Sequence, residues 1–407
     1  MGGLSTKAIA RPGRARVMGC CLALLVAIGD ANPSAAGPVG PEGLDSPVPP
    51  GAAPDGGPVT VLRGETIFGL ESLDNLERVD GEPSNGANVY FGYRLRLNID
   101  TSFFGRDRLR LRLQSRTIPE LEDITGSSLT NLGFDGDSQG VLEVSDLWYR
   151  FPLSRSTDLS ITAIGGSLRD NVPVVNPLFY GSSRGSISVF GSEDPIIRSR
   201  SGAALGLSTD ITPQLNLSAA VVSSGANESD YGIFGDRNAA ILQATYASGS
   251  RLRAALSFTR SNNDGSLGSE FVDSETVVGS TVAAEVFYRV VDGLALGLRG
   301  GLTQAQALDL PGKPQKRISS YALTVGFPDL FGRGNLLGLV VGRPPAVMEN
   351  SETLVFNSQS GHLELFYRYT VSDQLSITPG VMRVRSPDDF GGSNIYWIGA
   401  LRMTFRF

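Results

Sequence analysis

Two neighbouring stretches of the chain alternate strictly between apolar and polar side chains, VYFGYRLRLNID at 89–100 and RLRLRLQSR at 108–116. In the first stretch every second residue is apolar, and Arg94, Arg96 and Asp100 occupy positions between them. A period of two residues predicts a β-strand whose two faces meet different surroundings. The two stretches therefore predict neighbouring strands with one apolar and one arginine-rich face.

Short alternating segments of this kind continue to the end of the chain. Counting them predicts sixteen strands, with approximate bounds 58–70, 88–100, 107–117, 140–151, 157–167, 201–210, 213–222, 238–248, 250–260, 276–290, 292–303, 316–327, 334–343, 362–370, 373–384 and 394–407. The segments near 201, 292 and 334 alternate poorly. The connections between segments alternate between short and long, with seven short and eight long ones.

An even number of antiparallel strands with short turns at one end and long loops at the other is typical of bacterial outer-membrane barrels. In hydrocarbon every backbone N–H and C=O must be paired internally, which only helices and closed barrels achieve. The longest apolar run, 17–28, has twelve residues, whereas a membrane helix needs roughly 20. The sequence thus predicts an all-β transmembrane antiparallel barrel, with a soluble β-sandwich or adhesin as the alternative.

The N-terminal part predicts export. Basic residues precede the apolar run 17–28, and small residues at 34–36 offer a cleavage site, so 1–36 is predicted to be a signal peptide. A buried N-terminal helix is the alternative. Residues 37–57 are rich in Pro and Gly and predict a flexible linker, and 58–407 would be the barrel domain. The net charge of −6 disfavours nucleic acid as a partner.

Five segments of the predicted barrel carry a further signal, namely 63–68, 93–113, 147–153, 373–381 and 401–407. They resemble the corresponding parts of cyanobacterial outer-membrane porins, often labelled iron uptake porins, which are relatives of the carbohydrate-selective porins. It implies an outer-membrane channel that passes small ions and hydrophilic solutes, with iron species or sugars among the cargo. Members of that family usually carry an S-layer-homology domain and a coiled coil before the barrel, where this sequence has 37–57, so tethering to peptidoglycan is not expected.

The third long connection, 168–200, is the longest of the eight, with 33 residues. In sixteen-stranded porins the third outer loop commonly folds into the lumen, and we predict a constriction loop here, with a solvated surface loop as the alternative. Its charged residues are Arg169, Asp170, Arg184, Glu193, Asp194, Arg198 and Arg200. The predicted pore-lining wall opposite consists of Arg94, Arg96, Arg108, Arg110, Arg112 and Arg116. Such a wall should favour anions modestly, because electrolyte screens charges over about 10 Å.

Other kinds of site are not predicted. His362 is the single histidine and has no local hydrolase motif, so we interpret it as a polar residue facing the lumen. The segment 135–138 resembles a fragment of a calcium loop but lacks the rest, and we interpret it as a turn. We expect no catalytic residue, metal site or cofactor.

The predicted partners are outer-membrane lipid, small ions or solutes as cargo, and two further copies in a homotrimer. Phe405 and Phe407 in the terminal strand predict a signal for the barrel-assembly machinery. A structural barrel or adhesin without transport remains the alternative function.

Overall fold

The computed structural model describes residues 57–84, 86, 88–193, 197–263, 276–348, 360–388 and 391–407. The predicted signal peptide and all but the last residue of the predicted linker lie outside the described residues, and both stay predictions.

The described chain is almost entirely β-structure. Its strands are β1 Val59–Leu73, β2 Val89–Ser102, β3 Arg108–Ile118, β4 Gly136–Asp137, β5 Glu143–Pro152, β6 Thr157–Gly166, β7 Gly202–Asp210, β8 Leu215–Ser223, β9 Asn238–Ser248, β10 Leu252–Asn262, β11 Val277–Val291, β12 Leu294–Ala307, β13 Gln315–Pro328, β14 Leu336–Val347, β15 Gly361–Thr370, β16 Leu375–Pro387 and β17 Ser393–Arg406. The two-residue strand β4 pairs with the end of β3, and the other sixteen form the wall.

The wall closes on itself. Each long strand pairs antiparallel with its neighbours in sequence, and β1 pairs with both β2 and β17. Closure leaves no sheet edge, so the backbone polar groups of the wall are satisfied within it. The sixteen-stranded antiparallel barrel predicted from the sequence is confirmed.

The two faces of the strands separate as the alternation predicts. Arg94 and Asp100 of β2 are almost fully buried inside the barrel, whereas Phe91 on the same strand is 70% exposed on the outside. The outer face carries a belt of exposed apolar side chains, including Leu62, Phe91, Leu205, Leu242, Leu256, Val282, Leu298, Leu302, Leu323 and Trp397. This belt is the surface that hydrocarbon accommodates and water does not.

Short helical segments interrupt two of the long connections. Helix α1, Leu121–Thr125, and a 3₁₀ turn, Ser128–Thr130, lie in the second. A 3₁₀ turn, Arg169–Asn171, and helix α2, Val189–Ser192, lie in the third. Among the described residues no helix has the length and apolar character needed to cross a membrane.

The main hydrophobic core lies inside the barrel and fills one side of it. Its wall residues come from β1, β3 and the arc β13–β17, and they pack against residues of the first three long connections. The connections contribute Val79, Leu121, Ile124, Leu132, Phe134, Phe179, Ile187 and Phe190. Smaller clusters pack the start of the third connection against β7–β9 and β10–β12. The interior is therefore divided into a packed side and a side, next to β3, β5 and β6, that remains open.

Candidate functional site

The third long connection, 167–201, which we call the third loop, leaves the wall at a local irregularity at the end of β6. The pairing of β6 with β7 shifts between Thr162 and Gly166. Gly165 has φ 80°, and a side chain there would collide with the carbonyl oxygen of Ser145. A left-handed backbone without a Cβ is thus required where the chain turns inward.

Two charged side chains of the wall hold the middle of the third loop. Arg402 of β17 donates to the carbonyl oxygens of Ser182, Gly185 and Ser186 at 2.8, 2.7 and 3.1 Å. Glu364 of β15 accepts from the Ser186 hydroxyl at 2.6 Å, the Ile187 amide at 2.8 Å and the Ser188 hydroxyl. Hydrogen bonds with a charged partner are the stronger kind. The loop is therefore fixed to the wall at two buried points.

The start of the third loop is held by other strands. Gln243 of β9 and Arg253 of β10 donate to the carbonyl oxygens of Pro173 at 3.0 Å and Val174 at 3.1 Å. Asn176 donates to the Thr324 hydroxyl of β13 at 3.0 Å. The loop thus contacts inward-facing side chains on strands that lie far apart around the barrel, and it crosses the interior.

The second long connection, 119–142, which we call the second loop, joins the third inside the barrel. Leu132 forms an isolated antiparallel bridge with Ser188. The Gly133 amide donates to the Ile187 carbonyl at 2.8 Å, and the Val189 amide donates to the Asn131 carbonyl at 3.2 Å. The two loops therefore support each other through their backbones.

The open side of the interior contains a cavity of about 970 Å³. Its charged lining consists of seven arginines, Arg96, Arg110, Arg112, Arg116, Arg150, Arg169 and Arg198, and four carboxylates, Glu143, Asp146, Asp170 and Glu193. A second cavity of about 280 Å³ shares Arg150, Ser160 and Asn171 with the first and extends to Pro213 and Gln214 in a short turn. The larger cavity reaches residues of the long loops and the smaller one reaches a short turn, with Arg150, Ser160 and Asn171 between them.

Most of the arginine side chains on the wall have polar partners. Arg110 contacts both oxygens of Asp100 at 2.7 and 2.8 Å. Arg112 contacts Asp146 at 3.0 Å, and the Nε of Arg116 lies 3.9 Å from Glu143. Since arginine stays protonated in proteins, the wall keeps its positive charges, but neighbouring carboxylates reduce their field.

The predicted pore-lining residues divide into two groups. Arg96, Arg110, Arg112 and Arg116 line the cavity. Arg94 is buried against Glu65 at 3.3 Å and the Ser182 hydroxyl at 2.8 Å, and Arg108 is 4% exposed. Neither of them lies on the lining of the two cavities.

The charged residues of the third loop divide in the same way. Arg169, Asp170, Glu193 and Arg198 line the larger cavity. Arg184 points elsewhere and donates to the carbonyl oxygen of Asp373 in a short turn, and Arg200 is exposed outside the lining. Asp194 lies outside the described residues.

Sequence reasoning missed the aromatic part of the lining. Trp148 of β5 lies between two arginines of the larger cavity, with guanidinium carbons 5.2 Å (Arg110) and 5.5 Å (Arg150) from its ring centre. Tyr180 of the third loop lies 4.6 Å from Arg169. The alternation of the segment 147–153 could have placed Trp148 and Arg150 on the inner face, because both are an even number of residues from Asp146.

The single histidine lies in a cluster that resembles a hydrolytic site in composition but not in geometry. His362 Nε2 lies 3.2 Å from the Ser188 hydroxyl and 3.3 Å from Glu364. In a catalytic triad the serine and the acid contact opposite ring nitrogens, whereas here both contact Nε2. All three side chains are buried, and the cluster anchors the third loop.

A closed barrel with an apolar outer belt, an internal loop and polar cavities beside that loop has the architecture of an outer-membrane channel for small solutes. The family comparison agrees. The family model described as "Carbohydrate-selective porin, OprB family" matches residues 56–407, and the chain belongs to that family.

Relatives of similar sequence occur in two other organisms. An uncharacterized protein of Synechocystis sp. is 31% identical, over 86% of this chain and 69% of its own length. An uncharacterized protein of Nostoc sp. is 28% identical, over 86% of this chain and 65% of its own length. The chain thus spans about two thirds of the length of these relatives.

Solved structures show the same fold at low sequence identity. Pseudomonas putida OprB, in a high-pH structure, matches with a TM-score of 0.58 and 13% identity, over 87% of this chain and 95% of that one. The anion-selective porin of Comamonas acidovorans matches with a TM-score of 0.55 and 11% identity, over 86% of this chain and all of that one. A mutant of the Rhodopseudomonas blastica porin matches with a TM-score of 0.52 and 14% identity over the same shares.

Proposed function

We propose that this porin is a passive diffusion channel for small hydrophilic solutes with a modest preference for anions, and that sugars and anionic iron chelates are among its cargo. The observation that carries the proposal is the pair of adjoining polar cavities, the larger of which is lined by seven arginines and four carboxylates. In this proposal the two cavities form one polar path through the barrel. The third loop is its constriction. The chain catalyses no reaction, and it inserts into the outer membrane as a homotrimer with the help of the barrel-assembly machinery.

The chemistry of the lining supports this cargo. Guanidinium groups bind carboxylate and phosphate oxygens with two parallel hydrogen bonds and stack on aromatic rings. Hydroxyl groups of a sugar can accept from the same donors, and the ring of Trp148 offers an apolar face beside them. Charged side chains that line a pore set which ions enter readily. The excess of arginine over carboxylate therefore favours anions.

Ion selectivity is tested in planar lipid bilayers. A salt gradient across a bilayer containing the purified protein should give a reversal potential that indicates anion preference. Arg150→Gln, at the junction of the two cavities, should move this potential toward zero, because one fixed positive charge is removed. Arg155→Gln is the matched control, since Arg155 is an exposed residue of a short turn, and it should leave the potential unchanged.

Two results would contradict the proposal. Cation preference in the unaltered protein would exclude the anion-favouring path. The absence of any stable conductance would favour the alternative, a structural barrel or adhesin without transport. Swelling of proteoliposomes in sugars of graded size then tests uncharged cargo, and the same assay with ferric chelates tests iron.

A further inference from the structure

The outer face of the wall has a groove on the strands β11–β14. Its floor consists of two small residues, Ala284 of β11 and Gly300 of β12, which are register partners. The next outward pair, Val282 with Leu302, is exposed, and Tyr321 of β13 pairs with Gly300 on the other side. These side chains enclose a volume of about 360 Å³, which falls within the roughly 300–1,000 Å³ typical of ligand pockets.

An arginine lies beside this groove at the level of its floor. Arg343 of β14 pairs with Tyr321 and therefore belongs to the same register row as the floor. Its neighbour Gly342 faces the interior, because a Cβ added there would lie 2.9 Å from the Phe190 ring of the third loop. Neighbouring residues of a strand face opposite ways, so Arg343 faces outward, and its side chain lines the groove.

The guanidinium group of Arg343 is covered but poorly paired. The residue is 5% exposed. Its Nη2 lies 3.4 Å from the Val347 carbonyl oxygen, and its Nε has no hydrogen-bond partner among the described residues. Arginine stays protonated in proteins, and a charged side chain on the lipid face of a barrel destabilises it in proportion to its depth. The group therefore calls for an anion from outside the wall.

The wall itself supplies no such anion at this place. The outward faces of the described strands β11–β14 carry two arginines, Arg317 and Arg343, and no carboxylate. Glu285 is the single acid of these four strands, and by alternation it faces the interior. The adjoining connection 308–314 adds one acid, Asp309, and one base, Lys313, whose charges balance. The outer surface beside the groove is thus positive.

The groove lies near the border of the apolar belt. Beyond Leu302 the outward positions of β12 are Gln304 and Gln306, and Arg317 of β13 pairs with Gln304. This border is at the end of the barrel with the long connections, which face the exterior in outer-membrane barrels. Tyrosines such as Tyr321 are typical of this level, where acyl chains meet headgroups. The groove is therefore open to lipids of the outer leaflet.

We propose that this groove binds a lipid of the outer leaflet whose phosphate headgroup is negatively charged. One acyl chain lies over Ala284 and Gly300, and the phosphate accepts from Arg343 and Arg317. Guanidinium groups suit this role because they bind phosphate with paired hydrogen bonds. The inference rests on the position of the barrel in the membrane and not on which solutes cross the pore.

Native mass spectrometry of the purified porin tests the headgroup contact. Protein in detergent is mixed with equal amounts of phosphatidylglycerol and phosphatidylcholine that have the same acyl chains, and the retained lipids are counted. The unaltered protein should retain phosphatidylglycerol in preference. Arg343→Gln should reduce this preference about fivefold, the factor expected for one positive charge beside an anionic lipid. Arg260→Gln is the matched control, because Arg260 is exposed at the same border but on β10, and it should change the preference little.

A second pair of variants tests the acyl-chain contact. Ala284→Leu fills the floor of the groove and should also reduce the retention of phosphatidylglycerol several-fold. Ala284 is exposed, so the added side chain enters the space of the lipid and leaves the interior of the barrel unchanged. Ala244→Leu is its control, because Ala244 lies on the outer face of β9 in the same register row and away from the groove.

Three results would overturn the lipid site. The first is equal retention of the two lipids by the unaltered protein. The second is a preference that survives both Arg343→Gln and Ala284→Leu, or that falls equally in the two controls. The third is a shift of the measured mass from an oligomer to single chains in either variant, since a second copy of the chain would then be the occupant of the groove.

Discussion

Arginines that are evenly spaced along β2 and β3 occupy different environments. Arg112 lines the open cavity, while Arg94, on the neighbouring strand, is buried under the third loop by contacts with Ser182 and Glu65. The alternation correctly placed both side chains on the inner face. It could not separate them, because Ser182, which covers Arg94, comes from a loop almost ninety positions further along the chain.

A single aspartate organises the turn between β2 and β3. Asp107 accepts from the Ser102 hydroxyl at 2.9 Å, the Phe104 amide at 2.9 Å and the Tyr149 hydroxyl at 2.9 Å, and from the Phe103 amide at 3.1 Å. Burial acts to raise its pKa, but these donors outweigh burial and hold the pKa below its ordinary value.

We expect Asp107→Ala to lower the free energy of unfolding in detergent by about 1–3 kcal/mol, since it leaves buried donors without an acceptor. The folded-state pKa is lowered, so the stabilisation is present above about pH 4 and is lost as the pH falls through the folded-state value. Denaturant unfolding at neutral and acidic pH measures both effects. Asp158→Ala, at an exposed position of β6, is the control, and an equal loss in both variants would refute the role of Asp107.

At the scale of the element, the third loop depends on few anchors. Glu364→Gln keeps the shape of the side chain but removes the charge that receives three donors. We expect a loss of about 1.5–3 kcal/mol in the free energy of unfolding together with noisier single-channel currents, because the constriction is less firmly held.

Thr404→Val provides a graded comparison for the same loop. It removes one hydrogen bond, from the Thr404 hydroxyl to the Ser183 carbonyl at 3.1 Å, and should have a smaller effect on both readings. If the two variants gave equally quiet currents, the anchoring role of Glu364 would be wrong.

The strands themselves could be predicted from the sequence to within a few residues. The segments 58–70 and 238–248 correspond to β1 at Val59–Leu73 and β9 at Asn238–Ser248. The weak alternation near 334 has a physical reason. Leu336 and Val340 of β14 face inward but pack in the interior core, so the inner face of this strand is apolar.

The packing of the loops could not be predicted. The third loop was expected to fold inward from its rank and length alone, and its course depends on contacts with Arg402 and Glu364, far away in the sequence. The sequence offered no sign that the second loop would enter the barrel. In the sequence, Leu132 and Phe134 are isolated apolar residues of this loop. They become part of a hydrophobic core only when wall strands and the third loop pack around them.

At the scale of the whole molecule, the terminal strand closes the barrel and carries the predicted assembly signal. The backbone of Phe407 exchanges hydrogen bonds with Gly64 of β1 at 2.7 and 3.0 Å, whereas its side chain is 70% exposed. Truncating the side chain therefore leaves the closure of the wall intact.

We expect Phe407→Ala to reduce the amount of folded porin in the outer membrane while leaving the thermal stability of the purified barrel nearly unchanged. Cell fractionation and heat-dependent mobility in gels measure the two quantities. Phe91→Ala is the matched control, because Phe91 is also 70% exposed on the outer face, and it should assemble normally. Equal assembly defects in both variants would indicate a general need for apolar surface and not a terminal signal.

The division of the interior into a packed side and an open side separates two kinds of evolutionary change. On the arc β13–β17, inward residues such as Met382 and Ile398 touch other side chains, so a smaller residue there would leave a void and weaken the barrel. On β5 and β6, inward residues such as Thr162 border the open cavity and can be exchanged with little cost to folding. Descendants of this porin can therefore change the solutes that they admit by substitutions on one flank, while the opposite flank keeps the shape inherited from their ancestors.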